Sequence, residues 1–518
     1  MRKKVIAVIM TVVMMLALLT ACGNGGDSEK GVVDEDGNRV LRLRLTGSLN
    51  SLDWEVNMTP NDMKVWHQMF EGLYGMDESG EGYYKELAKD VQLSEDETEY
   101  TITLQDGVKF QNGEVMKASD VVFSYERAME NPAWGHLLEP IDTIEAVDDS
   151  TVKITLKYPY APIDHTFFCI KISSEKEVTE QGDQFGTIPH KAGTGPYYVT
   201  EYDVASGVKL KAFEDYWRGA PEIKSLEYQV ISDESAAVIA YENGELDYMD
   251  EAPMAEWEAL SEAAGENSVM IKGNNILWFG INYAASDVLA NDKVREAMFY
   301  AINKDDINSA VCNNLGTTTS QYMPSEYVAT SPTDGFETYD YNPEKAKELL
   351  AEAGYPDGVS VGTILTGGDK NDKMAQVIQA NLAEVGIEAE VSVLDISIVA
   401  ERWFAQDFDM CIYADSGNYD FNNIRQQVHS ESVGMYCIKY KDGPFDWQRM
   451  EELIDLGAST TDLEERLGYY TELWSIVMDT ATILPCVNWP VGIVWSEDLD
   501  IGEPVPQYYK VRTFKWKS

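Results

Sequence analysis

Apolar and polar positions along the chain follow two periods, and their alternation predicts the elements. The run Ile276-Leu277-Trp278-Phe279-Gly280-Ile281-Asn282-Tyr283 is rich in β-branched and aromatic residues and reads as a strand. Alternation sends Trp278, Gly280 and Asn282 to one face and Phe279, Ile281 and Tyr283 to the other, one of the two being core. Val294, Ala297, Met298 and Ala301 then recur at helical spacing, with Asn291 or Asp292 as the cap. A strand that hands the chain to a new helical unit is a natural crossing between two lobes. Upstream, Leu41, Leu43 and Leu45 alternate with Arg42 and Arg44, a half-buried strand. Residues 100–104 alternate too; Asp106-Gly107 turns the chain into 108–110, and Asn112-Gly113 turns it again. A helix follows with Ser119 as its N-cap, and another runs from Ser232 to Asn243-Gly244. Asn342, Pro343 and the apolar set Ala346, Leu349, Leu350 and Ala353 spell a capped helix ending at Gly354. A helix from Lys373 closes at Val385-Gly386 and a strand follows over 389–394. Helix and strand keep alternating to the end, without solenoid repeats. The fold class is α/β.

Composition adds scale and environment. The chain has 518 residues, 44% hydrophobic and 25% charged, long enough for more than one core. Its formal charge is −49, which argues against nucleic acid as a partner, since phosphate repels such a surface and no basic stripe offsets it. Solubility is the simpler meaning of the acidity. Lys3 and Lys4 precede an apolar run over 5–19, then Leu19-Thr20-Ala21-Cys22. The run is short for a bilayer and ends in small residues and a cysteine, which resembles a bacterial lipoprotein box. This predicts a signal peptide over 1–21, Cys22 as the lipidated residue, and a Gly- and acid-rich flexible tether over 22–39. The domain would then sit outside the cytoplasmic membrane on a lipid anchor, on a Gram-positive surface or in a periplasm. Cys169, Cys312, Cys411, Cys437 and Cys486 are widely spaced, so one or two disulfides are permitted and no pairing is deduced.

Motifs for chemistry are sparse. Gly358-Val359-Ser360-Val361-Gly362 spells the nucleophile-elbow pattern of a hydrolase, but a turn precedes Ser360 and a strand reads through it, where the motif needs strand then helix. No His pair has the spacing of a helical zinc site. Asp34-Glu35-Asp36-Gly37 lacks the rest of a calcium loop and reads as solvated tether. Gly193-Thr194-Gly195-Pro196-Tyr197 matches neither phosphate-binding glycine pattern, which leaves tight-turn geometry. No enzyme activity, metal or cofactor is expected.

Several separated stretches carry a resemblance. They are Leu289-Ala290-Asn291-Asp292-Lys293-Val294-Arg295-Glu296-Ala297 with Tyr300-Ala301-Ile302-Asn303-Lys304; Leu52-Asp53 followed by Phe70-Glu71-Gly72-Leu73; Leu104 through Val121; Gly193 to Tyr197; and Phe213 to Pro221. In this order they resemble the family 5 solute-binding proteins, the extracytoplasmic peptide-binding components of ABC importers. Trp54 replaces the Pro that usually follows Leu-Asp. The resemblance implies a two-lobed, periplasmic-binding-protein-like α/β fold with an extra inserted domain, and a ligand cleft between lobes joined by a hinge. Lobe I would comprise 32–70, 188–272 and 485–518, the inserted domain 71–187, and lobe II 273–484. It further implies that the chain captures oligopeptides as a monomer and hands them to a membrane permease driven by cytoplasmic ATPase subunits. Dipeptides, nickel chelates, haem and oligosaccharides are the alternative cargoes. A binder of varied peptides must hold the shared backbone, amine and carboxylate. For the amine, relatives use an aromatic residue followed by an Asp, and here Tyr413 and Asp415 come nearest, one residue out of the usual spacing. Asp415 reads equally well as a turn residue. Trp278 and Asn282 at the crossing, Met58 in the loop after Trp54, and Arg402 before the Asp415 strand complete the expected ligand set.

Overall fold

The computed structural model describes residues 31–56, 59–76, 82–273, 275–325, 328–416, 420–430, 440–504 and 511–517. Cys22, Met58 and Cys437 lie outside them, as do residues 1–21, the expected signal peptide. Residues 31–40 make a small turn of their own. Val33 bridges Arg39, and Asp34 Oδ1 accepts from the backbone N–H groups of Asp36 and Asn38. This part of the expected tether is therefore hydrogen-bonded rather than free.

Strand β1 (Val40–Leu45) is buried along its whole length, arginines included, and not half-exposed as the alternation predicts. The reason lies far along the chain. Arg42 is held by both carboxylate oxygens of Asp247 at 2.8 Å, and Arg44 donates to the carbonyls of Ile231 and Glu251. Buried charge is tolerable only with such partners.

Helix α1 (Pro60–Met69) follows, opened by Thr59, whose side chain accepts from Asp62 N. Strands β2 (Tyr74–Met76) and β3 (Tyr83–Lys85) pair as a ribbon. Four strands then form one sheet: β4 (Ala88–Leu93), β5 (Glu99–Leu104), β6 (Ile141–Asp148) and β7 (Thr151–Leu156), in the order β4-β5-β7-β6. The expected pairing of 100–104 with 108–110 does not occur. β5 is taken on both sides by β4 and β7, and Lys109 makes only a bridge to Val115. Helix α2 (Ala118–Met129) starts one residue before the expected Ser119 cap; Lys117 caps it, its N–H bonded to Asp120 Oδ2 at 2.9 Å.

Strands β8 (Tyr197–Asp203), β9 (Gly207–Ala212), β10 (Ser225–Val230), β11 (Tyr248–Met249) and β12 (Ser268–Ile271) return to β1, and the sheet runs β12-β19-β11-β1-β10-β9-β8. Its seventh member, β19 (Val491–Trp495), arrives from the other end of the chain. The glycines of Gly193-Thr194-Gly195 serve close approach rather than a turn: a Cβ on Gly193 would lie 1.9 Å from the Met69 carbonyl oxygen.

A second sheet, in the order β14-β18-β13-β17-β15-β16, contains β13 (Asn275–Ile281), β14 (Thr317–Thr318), β15 (Val359–Thr366), β16 (Ile387–Val393), β17 (Met410–Ser416) and β18 (Ile483–Asn488). Its helices include α3 (Asp292–Ala301), α4 (Pro343–Glu352), α5 (Asp369–Glu384), α6 (Ile396–Phe404), α7 (Trp447–Ser459) and α8 (Leu463–Asp479). The caps read from sequence hold for α3, where Asn291 accepts from Lys293 N, and α4, where Asn342 accepts from Lys345 N. Two short strands, β20 (Leu499–Asp500) and β21 (Lys515–Trp516), pair near the C-terminus. The large core of this half is drawn only from residues between Ile276 and Val487. We call this half lobe II, and the half built on the seven-stranded sheet, with the four-stranded sheet inserted, lobe I. Pro485 pairs with Trp278, and Cys486 and Val487 belong to the lobe II core, because β18 pairs with β13, whereas the expected boundary put 485 onward in lobe I.

Candidate functional site

The chain crosses between lobes twice, from β12 to β13 and from β18 to β19. Ile271 pairs with Val491 on one side, and Ile276 with Asn488 on the other, so the crossings run side by side. They touch at Gly273. A Cβ there would sit 2.2 Å from the Trp489 carbonyl oxygen, so only glycine permits the contact.

Both sheets turn the carboxyl ends of parallel strands toward this crossing. In lobe I, β1 and β11 are parallel, and the chain after β11 runs along β19 toward the crossing, with Ala252 N bonded to Gly492 O. In lobe II, β15 is parallel to β16 and β17, and β17 ends at Ser416 opposite Asn275. The crevice outside such strand ends is where open α/β sheets bind ligands.

The edge residues are strongly charged. Lys64, on α1, has only 1% of its side chain exposed; its Nζ lies 2.7 Å from Asp250 Oδ1 and 3.6 Å from Glu251 Oε1. Burial pushes the Lys64 ammonium down, but the two carboxylates outweigh it and hold it above its ordinary range. Glu251 keeps 39% of its side chain exposed. Desolvation pushes its carboxyl up; Lys64, Lys370, a hydrogen bond from Thr46, and Arg44 more than offset this and hold it below the usual range. Lys370 belongs to lobe II, as the second residue of α5, and its Nζ lies 5.3 Å from the ring centre of Trp489 in the crossing itself. Asn61 Oδ1 accepts from Thr46 N at 3.1 Å, which ties α1 to the end of β1. Asn488 Oδ1, at the end of β18, is buried without a hydrogen-bond partner among the described residues. The crossing thus carries an ionised carboxylate from one lobe, a cation from the other, and an open acceptor between.

Of the residues expected from sequence, Asp415 reaches this edge: its backbone pairs with Ile276, one position from the end of β17. Trp278 and Tyr413 do not line it. They face each other across β13 and β17 with ring centres 4.3 Å apart, and are 1% and 5% exposed. β13 is a central strand buried on both faces, so neither of its faces is open. Asn282 lies roughly 20 Å along the strand from the crossing. Its amide donates to Phe408 O and its Oδ1 accepts from Ala284 N, closing the turn at that far end. Arg402 clasps the end of α6 through the carboxylate and carbonyl of Asp407, both at 2.9 Å. Ser360 is an exposed second residue of β15, which continues to Thr366, so no nucleophile elbow exists there. Cys169, Cys312, Cys411 and Cys486 are free thiols. Sequence reading missed Lys64, Glu251, Lys370 and Asn488. The one available signal was Lys64 between apolar positions of a helix, a place where a charge needs a partner.

The profile of bacterial extracellular solute-binding proteins, family 5 Middle, matches residues 82–427. The glutathione-binding protein GsiB of Salmonella typhi is 30% identical over 342 residues, 64% of this chain and 65% of that protein. The GsiB of Pectobacterium atrosepticum is also 30% identical, over 64% of each chain. This chain therefore aligns with somewhat less than two thirds of the length of these curated relatives. Among solved structures, the periplasmic binding protein DppA of Helicobacter pylori, in complex with the peptide STSA, superposes with a TM-score of 0.80 at 21% identity, covering 92% of this chain and 98% of that one. NikA of Brucella suis, in complex with Fe(III)-EDTA, gives 0.82 at 21% identity, covering 93% and 100%. These likenesses establish the fold.

Proposed function

The chain belongs to the family 5 extracellular solute-binding proteins of ABC importers, and from that premise we propose that its cargo is short oligopeptides, taken into the crevice at the lobe crossing. The supporting observation is that Glu251 from lobe I, whose carboxyl the Lys370 charge helps to hold down, and Lys370 from lobe II, whose ammonium lies over the Trp489 ring, both stand at the crossing. A peptide carries the complementary charges: its ammonium meets Glu251, with Asp415 as a second acceptor, and its carboxylate meets Lys370. The two charged partners, Glu251 and Lys370, come from different lobes, so binding favours closure about Gly273 and Trp489. Cys22 holds the domain to the outer face of the membrane by lipid, and the loaded monomer docks on a permease with its ATPase subunits. Glutathione, named for the GsiB relatives, is itself a peptide with one ammonium and two carboxylates and belongs in the first ligand set.

Native mass spectrometry of purified residues 23–518 shows what travels with the protein; peptide adducts are expected. Titration calorimetry with one tripeptide in free, N-acetylated and C-amidated forms then tests the termini. Blocking either end should weaken binding at least tenfold, the scale of a lost charge-assisted contact. Equal affinity for all three forms would remove the two-charge reading, and a metal or single non-peptide adduct would replace the cargo.

A further inference from the structure

The lobe II rim beside Lys370 has an uncovered apolar corner. On α6, Ile396, Val399 and Trp403 fall at i, i+3 and i+7, one stripe of the helix. Val399 and Trp403 are 0% and 4% exposed, yet Ile396 on the same stripe is 53% exposed. The cause is position. α6 begins beyond the carboxyl edge of the sheet, so its first stripe residue overhangs the crevice while the later ones lie on the core. Gly367, just after β15, fixes the place: a Cβ on it would lie 2.6 Å from Leu394 O and 3.5 Å from Ile396 Cα. Lys370 follows three residues on. Val393, the last residue of β16, is 54% exposed at the same corner, at the end of the alternating row that starts with the buried Ile387. A single exposed aliphatic side chain is ordinary. Here two apolar rows run out of the core and stop uncovered at the carboxyl edge of the sheet, beside the Gly367 turn that leads into Lys370.

Resting on the peptide reading of the crevice, we propose that Ile396 and Val393 form an apolar subsite that selects peptides with a large aliphatic side chain at the carboxyl-terminal residue. Lys370 and Ile396 rise from one edge of one lobe, so a carboxylate held by the first brings its own residue's side chain to the second. The amino end, held on the Glu251 side, does not reach the corner.

The test is calorimetry of the mature chain with Gly-Gly-Gly, Gly-Gly-Leu and Leu-Gly-Gly, on wild type and on Ile396→Ser and Ile396→Val. Burying a leucine against a half-exposed isoleucine should make Gly-Gly-Leu bind about tenfold tighter than Gly-Gly-Gly, with Leu-Gly-Gly no tighter than Gly-Gly-Gly. Ile396→Ser should reduce that preference to about twofold or less and leave the Gly-Gly-Gly affinity unchanged, and Ile396→Val should keep most of it. Unchanged Gly-Gly-Gly binding also shows that the Ser variant is folded. The subsite is refuted if wild type binds all three alike, if Leu-Gly-Gly shares the preference, or if the preference survives Ile396→Ser. Should none of the peptides bind while a metal chelate does, the peptide reading falls first and the subsite with it.

Discussion

Glu71 shows what a single residue does here. It is 4% exposed, and its carboxylate accepts from Tyr216 Oη at 2.6 Å, Trp217 Nε1 at 2.9 Å and Thr194 Oγ1 at 2.8 Å. Phe70-Glu71-Gly72-Leu73, Gly193 to Tyr197, and Phe213 to Pro221 are three separate motifs of the family resemblance, and they meet on this carboxylate. Glu71→Leu would leave the Tyr216 and Thr194 hydroxyls and the Trp217 N–H without their shared acceptor, at a cost of about 1–3 kcal/mol. Chemical denaturation should show that loss, with peptide affinity unchanged; a variant as stable as wild type would deny the residue this role. Protonation matters too. Burial, with the Glu86 charge added, pushes the Glu71 carboxyl up to about 7, and burial pushes Glu55 up to about 7 against the attraction of Arg127. Both lie above the ordinary 4.5, so the folded chain keeps protons that the unfolded chain releases. Their contribution to stability is full below about pH 4.5 and is lost as pH rises through about 7. The melting temperature should therefore fall between pH 5 and pH 8, and Glu55→Gln should flatten part of that slope. A melting temperature that rises over this range contradicts both assignments.

At the scale of elements, local signals were legible and long-range ones were not. Asn291 and Asn342 announce α3 and α4 because a cap acts within three residues of itself. The arginines of β1 gave the wrong exposure because their partners, Asp247 and the carbonyls of Ile231 and Glu251, lie about two hundred residues on. Residues 108–110 look like a strand for the same reason: the alternation is real, but β4 and β7 already occupy both edges of β5. The crossing after β12 was legible as a break between strand and helix unit, whereas the charges around it come from α1, α5 and the turn after β11, and no spacing rule joins those. Trp278 reads as a site residue because it lies on the crossing strand, and Tyr413 because it is the aromatic before Asp415 in the amine-anchor pattern, yet the sheet packs both into the core. The crossing also makes an element-scale prediction. In Gly273→Ala, the new Cβ and the Trp489 carbonyl oxygen cannot both stay where they are, so the two crossings must separate. Peptide affinity should drop roughly tenfold or more, as expected when a pre-organised site is displaced, while both lobes, whose sheets end at Ile271 and begin at Asn275 on either side of Gly273, stay folded. Wild-type affinity in Gly273→Ala would mean that the crossings do not set the geometry of the site.

For the molecule as a whole, the two lobes also meet away from the crossing. Ala161 N, just beyond the inserted four-stranded sheet, donates to Ala458 O at the end of α7 at 2.8 Å. Beside it, Asn422 Nδ2 lies 3.5 Å from Tyr160 Oη, and Tyr160 is 7% exposed. Asn422 stands next to Asp420, which Arg466 binds through both carboxylate oxygens, so the lobe II side of this contact is held firmly. Closing about Gly273 cannot proceed independently of a contact at Ala458, since both link the same two bodies. The contact therefore contributes to the free-energy difference between closed and open forms whether or not a ligand is present, and a ligand supplies only the remainder. Tyr160→Ala removes the buried ring and its hydroxyl without touching the charged edge. It should enlarge the radius of gyration of the ligand-free protein in small-angle scattering and raise the peptide dissociation rate several-fold, with association little changed. If dissociation and ligand-free dimensions both stay at wild-type values, the second contact does not govern closure, and the charges at the crossing alone must account for it.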